Sequence, residues 1–171
     1  MSTQQPEPWL RGTLTEVDAV RRAVLHAMEL AEEDLREWCG GLSDEEMNAR
    51  PYELAPVAFH LRHIARSLDR LLTYAEGGKL DGAQIAAMKS ELDGGASRQE
   101  LFAELRAALE ASAARVRAFA AESYATFRGV GRAQLPTSVG GLLVHCADHT
   151  QRHVGQAVTT AKVVMGMRAA K

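Results

Sequence analysis

The sequence is poor in the residues that build strands and cross-links. Aromatic residues make up 5% of the 171 residues, while alanine, leucine, glutamate and arginine are abundant. This composition favours helix over strand. The two cysteines, Cys39 and Cys146, lie far apart and form no CxxC pair, which argues against a disulfide framework and favours a reducing compartment. We therefore expect a protein that is held together by an apolar core.

Long apolar runs and charge of one sign are also missing. The sequence has no apolar run of about 18 residues, and the segment MSTQQPEPW lacks the apolar region of a signal peptide. The 22 acidic and 20 basic residues are interleaved, so no basic stripe for nucleic acid is present. These absences predict a cytoplasmic protein that binds neither membranes nor nucleic acid.

Apolar residues at helical spacing are the main feature that the sequence does have. Four long stretches carry an apolar residue every three or four positions, which is typical of amphipathic helices. The predicted starts of these four helices carry residues typical of helix N-termini: Thr13, Pro56, Ser97 and Ser138. At the first of them, Thr13 and Glu16 have the spacing of a capping box.

Two shorter helices are predicted between the long ones, beginning near Ser43 and Asp81. No stretch shows the alternating pattern of a strand. Four long helices without strands predict an all-α four-helix bundle, which we expect to form a single domain over residues 1–171 with a loose N-terminal arm over residues 1–12.

Five of the six histidines fall in two short stretches, residues 59–64 (FHLRHI) and residues 145–156 (HCADHTQRHVGQ). His149 and His153 are four residues apart on one predicted helix face, where Cβ atoms lie about 5–6 Å apart and two imidazoles can reach one metal ion. A third imidazole from the first stretch would complete a three-histidine site with open positions. The alternative is a hydrogen-bonded core network of histidines without metal.

The helical wheel leaves the third histidine undecided. His60 lies about 40° from the apolar Ile64, whereas His63 lies about 100° away. Wheel position alone therefore favours His60 as the inward residue. In the second stretch, His145 lies toward the edge of the apolar side, beside Gln156.

The HxxxH pair also lacks a catalytic glutamate. Metalloproteases with the HExxH motif place their general base directly after the first histidine. Thr150 stands at that position here, so the motif argues against peptide hydrolysis.

Two longer runs, PVAFHLRHIARSLDRLLTYAEG and GGLLVHCADHTQRHVGQAVTTAKV, resemble the DinB-like superfamily. The resemblance extends from Trp9 to about Val164, and its most specific parts are the histidine before Ile64-Ala65 and the HxxxHxGQ block. It implies an up-down-down-up bundle. It also implies a divalent metal ion bound by three histidines: His63, His149 and His153.

The same resemblance places His60, His145 and Gln156 around the ligands or in a pocket. It implies a zinc or nickel ion, with iron or manganese as alternatives. The implied function is metal-dependent transfer or conjugation of a low-molecular-weight thiol to a small-molecule substrate, carried out by a homodimer. The alternative is a non-catalytic, stress-associated bundle that senses or stores metal.

Arg62, Arg66 and Arg70 form a basic row at four-residue spacing on the second long helix. We expect this row to be a solvated face, with a pocket for an anionic thiol or carboxylate as the alternative. Cys146 falls on the apolar side of the last helix and is expected to be a small buried residue.

Overall fold

The computed structural model of the protein describes residues 5–170 and is mostly helical. Its four long helices are α1 (Ala19–Cys39), α3 (Val57–Ala75), α5 (Arg98–Ala118) and α6 (Val139–Ala169). Two short helices, α2 (Asp44–Asn48) and α4 (Gly82–Lys89), lie in the connections. Two strands, β1 (Phe127–Val130) and β2 (Leu135–Ser138), form an antiparallel hairpin before α6.

Helix packing creates one shared core. Helix α6 packs against α1 and α3, and α5 packs against α3 and, less extensively, against α1. Leu35, Leu61, Leu68, Leu105 and Leu143 are among the fully buried side chains between the long helices. Each such side chain contributes about 1.5–3 kcal/mol by leaving water. The core therefore holds α3 firmly against both α5 and α6.

Both cysteines belong to this core. Cys39 and Cys146 have no exposed surface, and burial raises the pKa of each thiol to about 12. Neither thiol is ionised near neutral pH, so neither can act as a nucleophile there. The prediction that Cys146 is a small buried residue is confirmed.

The predicted start of the first helix is wrong by six residues. Helix α1 begins at Ala19, because the side chain of Asp18 accepts hydrogen bonds from the backbone N–H groups of Val20 and Arg21. Thr13 lies outside the helix, with its hydroxyl oxygen 3.1 Å from Nε2 of the buried His26. Thr13 therefore has the spacing of a capping box with Glu16 but does not cap a helix, because its hydroxyl lies beside His26.

The other predicted helix starts are confirmed. Ser43, Asp81 and Ser97 each form a capping box with the residue three positions later. Ser138 accepts a hydrogen bond from the backbone N–H of Gly141 at the start of α6. Pro56 directly precedes α3.

The hairpin corrects the prediction that the fold is entirely helical. Gly131, with φ +68°, begins the turn between strands that are each four residues long, too short to show clear alternation in the sequence. Arg128 of β1 donates a hydrogen bond from Nε to the carbonyl oxygen of Ala75 at 2.7 Å. The hairpin thereby covers the C-terminal end of α3.

The predicted N-terminal arm covers residues 1–12, of which residues 1–4 lie outside the described part of the chain. Beyond them, Arg11 joins the arm to α1 through ion pairs with Glu29 and Glu33, both at 2.7 Å. Across residues 5–170, each helix is either too short or too polar to cross a bilayer.

Candidate metal centre

The facing sides of α3 and α6 bring together the three histidines that the family resemblance selected. His63, His149 and His153 each offer one ligand atom, and these three atoms lie within 4.8 Å of one another. The ring centroids of His149 and His153 are 4.6 Å apart, and the ring centroid of His63 lies 4.9 Å from that of His149 and 4.3 Å from that of His153. The three imidazoles thus face one small space.

The ring of His63 is oriented by a buried carboxylate. Its Nδ1 lies 2.7 Å from Oε2 of Glu91, a residue that is only 6% exposed. The other oxygen of Glu91 accepts a hydrogen bond from Arg70 at 2.7 Å. With the proton of His63 on Nδ1, facing the carboxylate, Nε2 keeps its lone pair. A carboxylate in this role also increases the basicity of a metal-binding imidazole.

His149 and His153, the two cluster members on α6, have partners at the same ring position. Nδ1 of His149 lies 3.3 Å from the hydroxyl oxygen of Ser67, which itself donates to the carbonyl of Ile64. Nδ1 of His153 lies 3.1 Å from Nδ1 of His60. In each of the three rings, Nδ1 therefore has a neighbour outside the cluster and Nε2 is available.

The spacing and donor chemistry of this cluster fit a divalent metal ion. Nε2 of His63 and Nε2 of His149 are 3.2 Å apart. Two tetrahedral nitrogen ligands at 2.0–2.1 Å from zinc would be about 3.3 Å apart. Two lone pairs at this distance repel each other unless a proton or a cation lies between them, so the arrangement suits a bound cation.

Electrostatics keep two rings of the cluster, those of His149 and His153, neutral. Burial, together with neighbouring imidazoles, lowers the pKa of His149 and of His153 to about 4. The pKa of the more deeply buried His60 is lowered to about 4 for the same reasons. Near neutral pH these rings are unprotonated, which is the form that binds metal.

Sequence reasoning missed three residues that contact the cluster: Phe59, Ser67 and Glu91. Ser67 lies one turn after His63 on α3, so its position was accessible from helical spacing. Glu91 lies in the irregular connection after α4, where no periodic pattern indicates which way a side chain points. Phe59, one turn before His63, stacks on its ring with centroids 5.2 Å apart.

A cavity of about 240 Å³ opens beside the cluster. His63 and His149 form part of its wall, together with Ser67, Arg70, Leu71, Tyr74, Leu80, Met88 and His145. The structure thus places His145 on a pocket wall, 5.4 Å from the ring of His149. Gln156 is exposed, and no hydrogen bond found within residues 5–170 joins its side chain to the histidines.

The arginine row on α3 is not a solvated face. Arg66 donates to Glu104 at 2.7 Å and Arg70 donates to Glu91 at 2.7 Å. Arg62 donates to the backbone carbonyl of Asp93. The sequence pattern did not show this, because the oxygen atoms come from residues 91–104, far along the chain.

Glu91, the carboxylate that contacts the cluster, is not free to act as a general base. Thr150 is buried, and its hydroxyl has no hydrogen-bond partner in the described part of the chain. Both oxygens of Glu91 are already paired with His63 and Arg70. The arrangement therefore differs from that of an HExxH hydrolase, in which the glutamate is available to activate water.

Comparison with known proteins agrees with this architecture. The chain matches the DinB superfamily over residues 27–157, which includes both histidine stretches. The crystal structure of a conserved protein from Enterococcus faecalis is similar in fold, with a TM-score of 0.72 and 20% sequence identity. The similarity covers 88% of this chain and 99% of that protein. No curated protein matches the sequence. The family match spans well over half of the chain, which therefore belongs to the DinB superfamily.

Proposed function

We propose that the protein binds a divalent metal ion through His63, His149 and His153 and uses it to transfer a low-molecular-weight thiol to a small-molecule substrate. The observation that carries this proposal is the convergence of three imidazole ligand atoms within 4.8 Å. The partners of the three Nδ1 atoms support it, since they leave Nε2 of each ring available.

We further propose that the four long helices form an up-down-down-up bundle. Ala27 contacts Gln151, and Trp38 contacts Lys162. Later residues of α1 thus meet later residues of α6, as expected for helices that run in the same direction.

The contacts of α3 with α6 and with α5 support the proposed directions of α3 and α5. Its histidine pairs join earlier residues of α3 to later residues of α6, which is the pattern of antiparallel helices. Its ion pairs with α5 join Arg66 to Glu104 and Glu76 to Arg115, which is the pattern of parallel helices. Helices α3 and α5 then both run opposite to α1 and α6.

Neutral imidazole donors suit zinc or nickel better than magnesium or calcium, which prefer oxygen. Iron and manganese are the alternative ions. When bound, such an ion would supply Lewis acidity and lower the pKa of a thiol beside it. Three protein ligands leave at least one coordination position for that thiol.

The side chains around the site have positioning roles in this proposal. Glu91 fixes the ring of His63, Ser67 faces His149, and His60 faces His153. Leu71 and Tyr74 form an apolar part of the cavity wall that limits access of water. In the transfer, the sulfur of the thiol forms a bond to an electrophilic carbon of the substrate. The bond from that carbon to its leaving group breaks, and the leaving group departs with the electron pair. The thiol proton passes to water.

The test begins with metal content and ends with turnover. Untagged protein is stripped with a chelator, loaded separately with zinc, nickel, iron or manganese, and assayed for bound metal. Loaded and metal-free protein are then given a panel of thiols with an aryl halide as electrophile, and thiol consumption is followed together with halide release. We expect both to require the metal.

Two results would change the proposal. Metal binding without consumption of any thiol would support the non-catalytic alternative, in which the site senses or stores metal. Absence of metal binding would overturn the proposal altogether. The homodimer and the cytoplasmic location stay predictions, which sedimentation and fractionation of cells would test.

A further inference from the structure

A second and larger cavity adjoins the one that contains the histidines. It measures about 950 Å³ and lies between the end of α3, helix α4 and the β-hairpin. The two cavities share three wall residues: Tyr74, Leu80 and Met88. These residues border both spaces, so the two cavities lie side by side.

Among the residues that the structure describes, those in the wall of the larger cavity include cations and no carboxylate. Its four basic residues are Lys79, Lys89, Arg128 and Arg132. Arg128 donates to two backbone carbonyls, whereas the other three side chains make no ion pair within residues 5–170. The arginines on α3 differ from these side chains, because they already donate hydrogen bonds to carboxylate or carbonyl oxygens of the protein. This cavity therefore attracts an anion that the protein itself does not supply.

The same wall also exposes apolar surface. Phe127 is 63% exposed and Met88 is 43% exposed, and both border the cavity together with Ile85. Apolar walls combined with a few charged groups are typical of a site for a small organic molecule. An inorganic anion would leave these apolar side chains without contact.

We propose that this cavity binds the anionic portion of an organic molecule with an apolar body, whose other end enters the histidine cavity. The anionic group can be a carboxylate, a sulfonate or a phosphate, since each would pair with Lys79, Lys89 and Arg132. The identity of the other end as a thiol rests on the proposed function, whereas the anion site does not. This inference narrows the substrate class to negatively charged small molecules.

The test compares two dyes with the same apolar rings. Anilinonaphthalene sulfonate carries a negative charge, whereas phenylnaphthylamine is neutral. Each dye is titrated by fluorescence into metal-free protein, so the result does not depend on metal. The variant Lys79→Gln/Lys89→Gln/Arg132→Gln removes three cations from the cavity wall. The control Arg50→Gln/Arg106→Gln/Arg117→Gln removes three exposed cations outside it.

We expect the cavity variant to weaken binding of the sulfonate about tenfold, because three solvent-exposed charge contacts are lost. Binding of the neutral dye should stay unchanged, and the control variant should behave like the original protein with both dyes. An equal loss in both variants would overturn the anion site, because it would show a response to net charge only. A parallel loss of both dyes in the cavity variant would also overturn it.

A competition experiment tests whether the two cavities act as one site. 6-Mercaptohexanoate, which carries a thiol and a carboxylate at opposite ends of an apolar chain, should displace the sulfonate dye from zinc-loaded protein at lower concentration than hexanoate does. Equal displacement by both compounds would overturn the link to the histidines. If the protein binds no zinc, the proposed function fails, and the dye titrations on metal-free protein still decide the anion site.

Discussion

Helix α3 has two polar faces that differ in how their charges and lone pairs are matched. The face toward α6 carries His60 and His63, which meet other histidines. The face toward residues 87–104 carries Arg62, Arg66 and Arg70, whose guanidinium groups meet carboxylate or carbonyl oxygens. Both faces are polar and partly buried, yet their donors and acceptors are arranged differently.

The difference separates a stabilising surface from a binding site. Each arginine donates to at least one oxygen atom of the protein, although Nε of Arg62 is buried without a partner within residues 5–170. The histidine face brings basic nitrogens together, and neutral rings satisfy each other only in part. Glu91 connects the two faces, because one of its oxygens pairs with Arg70 and the other with His63. Changes on each face should therefore have distinct effects on metal binding and on stability.

The largest effect is expected when a histidine of the cluster is removed. His149→Ala should weaken zinc binding more than about 100-fold, because a ligand is lost and two remain. Competition against a chromophoric chelator measures the affinity. His60→Ala is the comparison variant, and we expect a smaller loss of about tenfold, since His60 contacts only the outer nitrogen of His153 and is not a ligand.

The same measurement on His63→Ala and His60→Ala distinguishes these two histidines as candidate ligands. If His63→Ala kept full metal affinity while His60→Ala lost it, the ligand set would be wrong. The helical-wheel preference for His60 would then be correct.

The next largest effect on metal binding is expected at Glu91, which connects the two faces. Glu91→Gln keeps the shape of the side chain and removes its charge, so the ring of His63 loses its carboxylate partner. We expect zinc affinity to fall about 10–100-fold, as for other carboxylates that orient a ligand histidine. Glu104→Gln removes a carboxylate from the arginine face alone and serves as the control. Equal metal affinities in these two variants would refute the positioning role of Glu91.

A change confined to the arginine face should affect stability and leave metal binding intact. Arg66→Met keeps the apolar stem but loses the hydrogen bonds to Glu104 and to the carbonyl of Ala87. We expect the free energy of unfolding to fall by about 1–2 kcal/mol. Urea denaturation measures the loss, and zinc titration of the folded variant should match that of the original protein. A large drop in zinc affinity would show that the two faces are not separable.

The smallest effect on stability is expected at Asp18, which lies on neither face of α3 and caps the N-terminus of α1. Burial alone would raise the pKa of Asp18, but hydrogen bonds from Arg21, from Tyr124 and from the backbone lower it to about 2. Asp18→Ala should reduce the free energy of unfolding by about 1 kcal/mol near neutral pH, without any effect on metal.

The pH dependence of that loss follows from the sign of the shift. The pKa of Asp18 is lower in the folded protein than in the unfolded chain, so its stabilisation is present above about pH 4 and disappears as the pH falls through about 2. Urea unfolding of both proteins at several pH values should show their stability curves converging at low pH. Parallel curves throughout would contradict this assignment.

Local sequence signals predicted most helix starts correctly and failed where a competing partner was available. Ser43, Asp81 and Ser97 cap helices together with residues three positions later, so the residues that determine each helix start lie within one helical turn. Thr13 has the same signature but its hydroxyl lies beside His26, and Asp18 caps α1 instead. The hairpin was missed because its pairing depends on contacts between strands of only four residues.

Within the candidate site, the sequence by itself determined that His149 and His153 lie side by side, because helical spacing is a local property. The family pattern, and not periodicity, selected His63 over His60. Only the tertiary structure decided that Glu91 reaches His63, that the arginine row is paired, and that three cations without an ion pair within residues 5–170 border a cavity next to the one that contains the histidines. Those outcomes depend on residues far apart in the chain, whose distances are set by how helices and connections pack and not by any repeat within one segment.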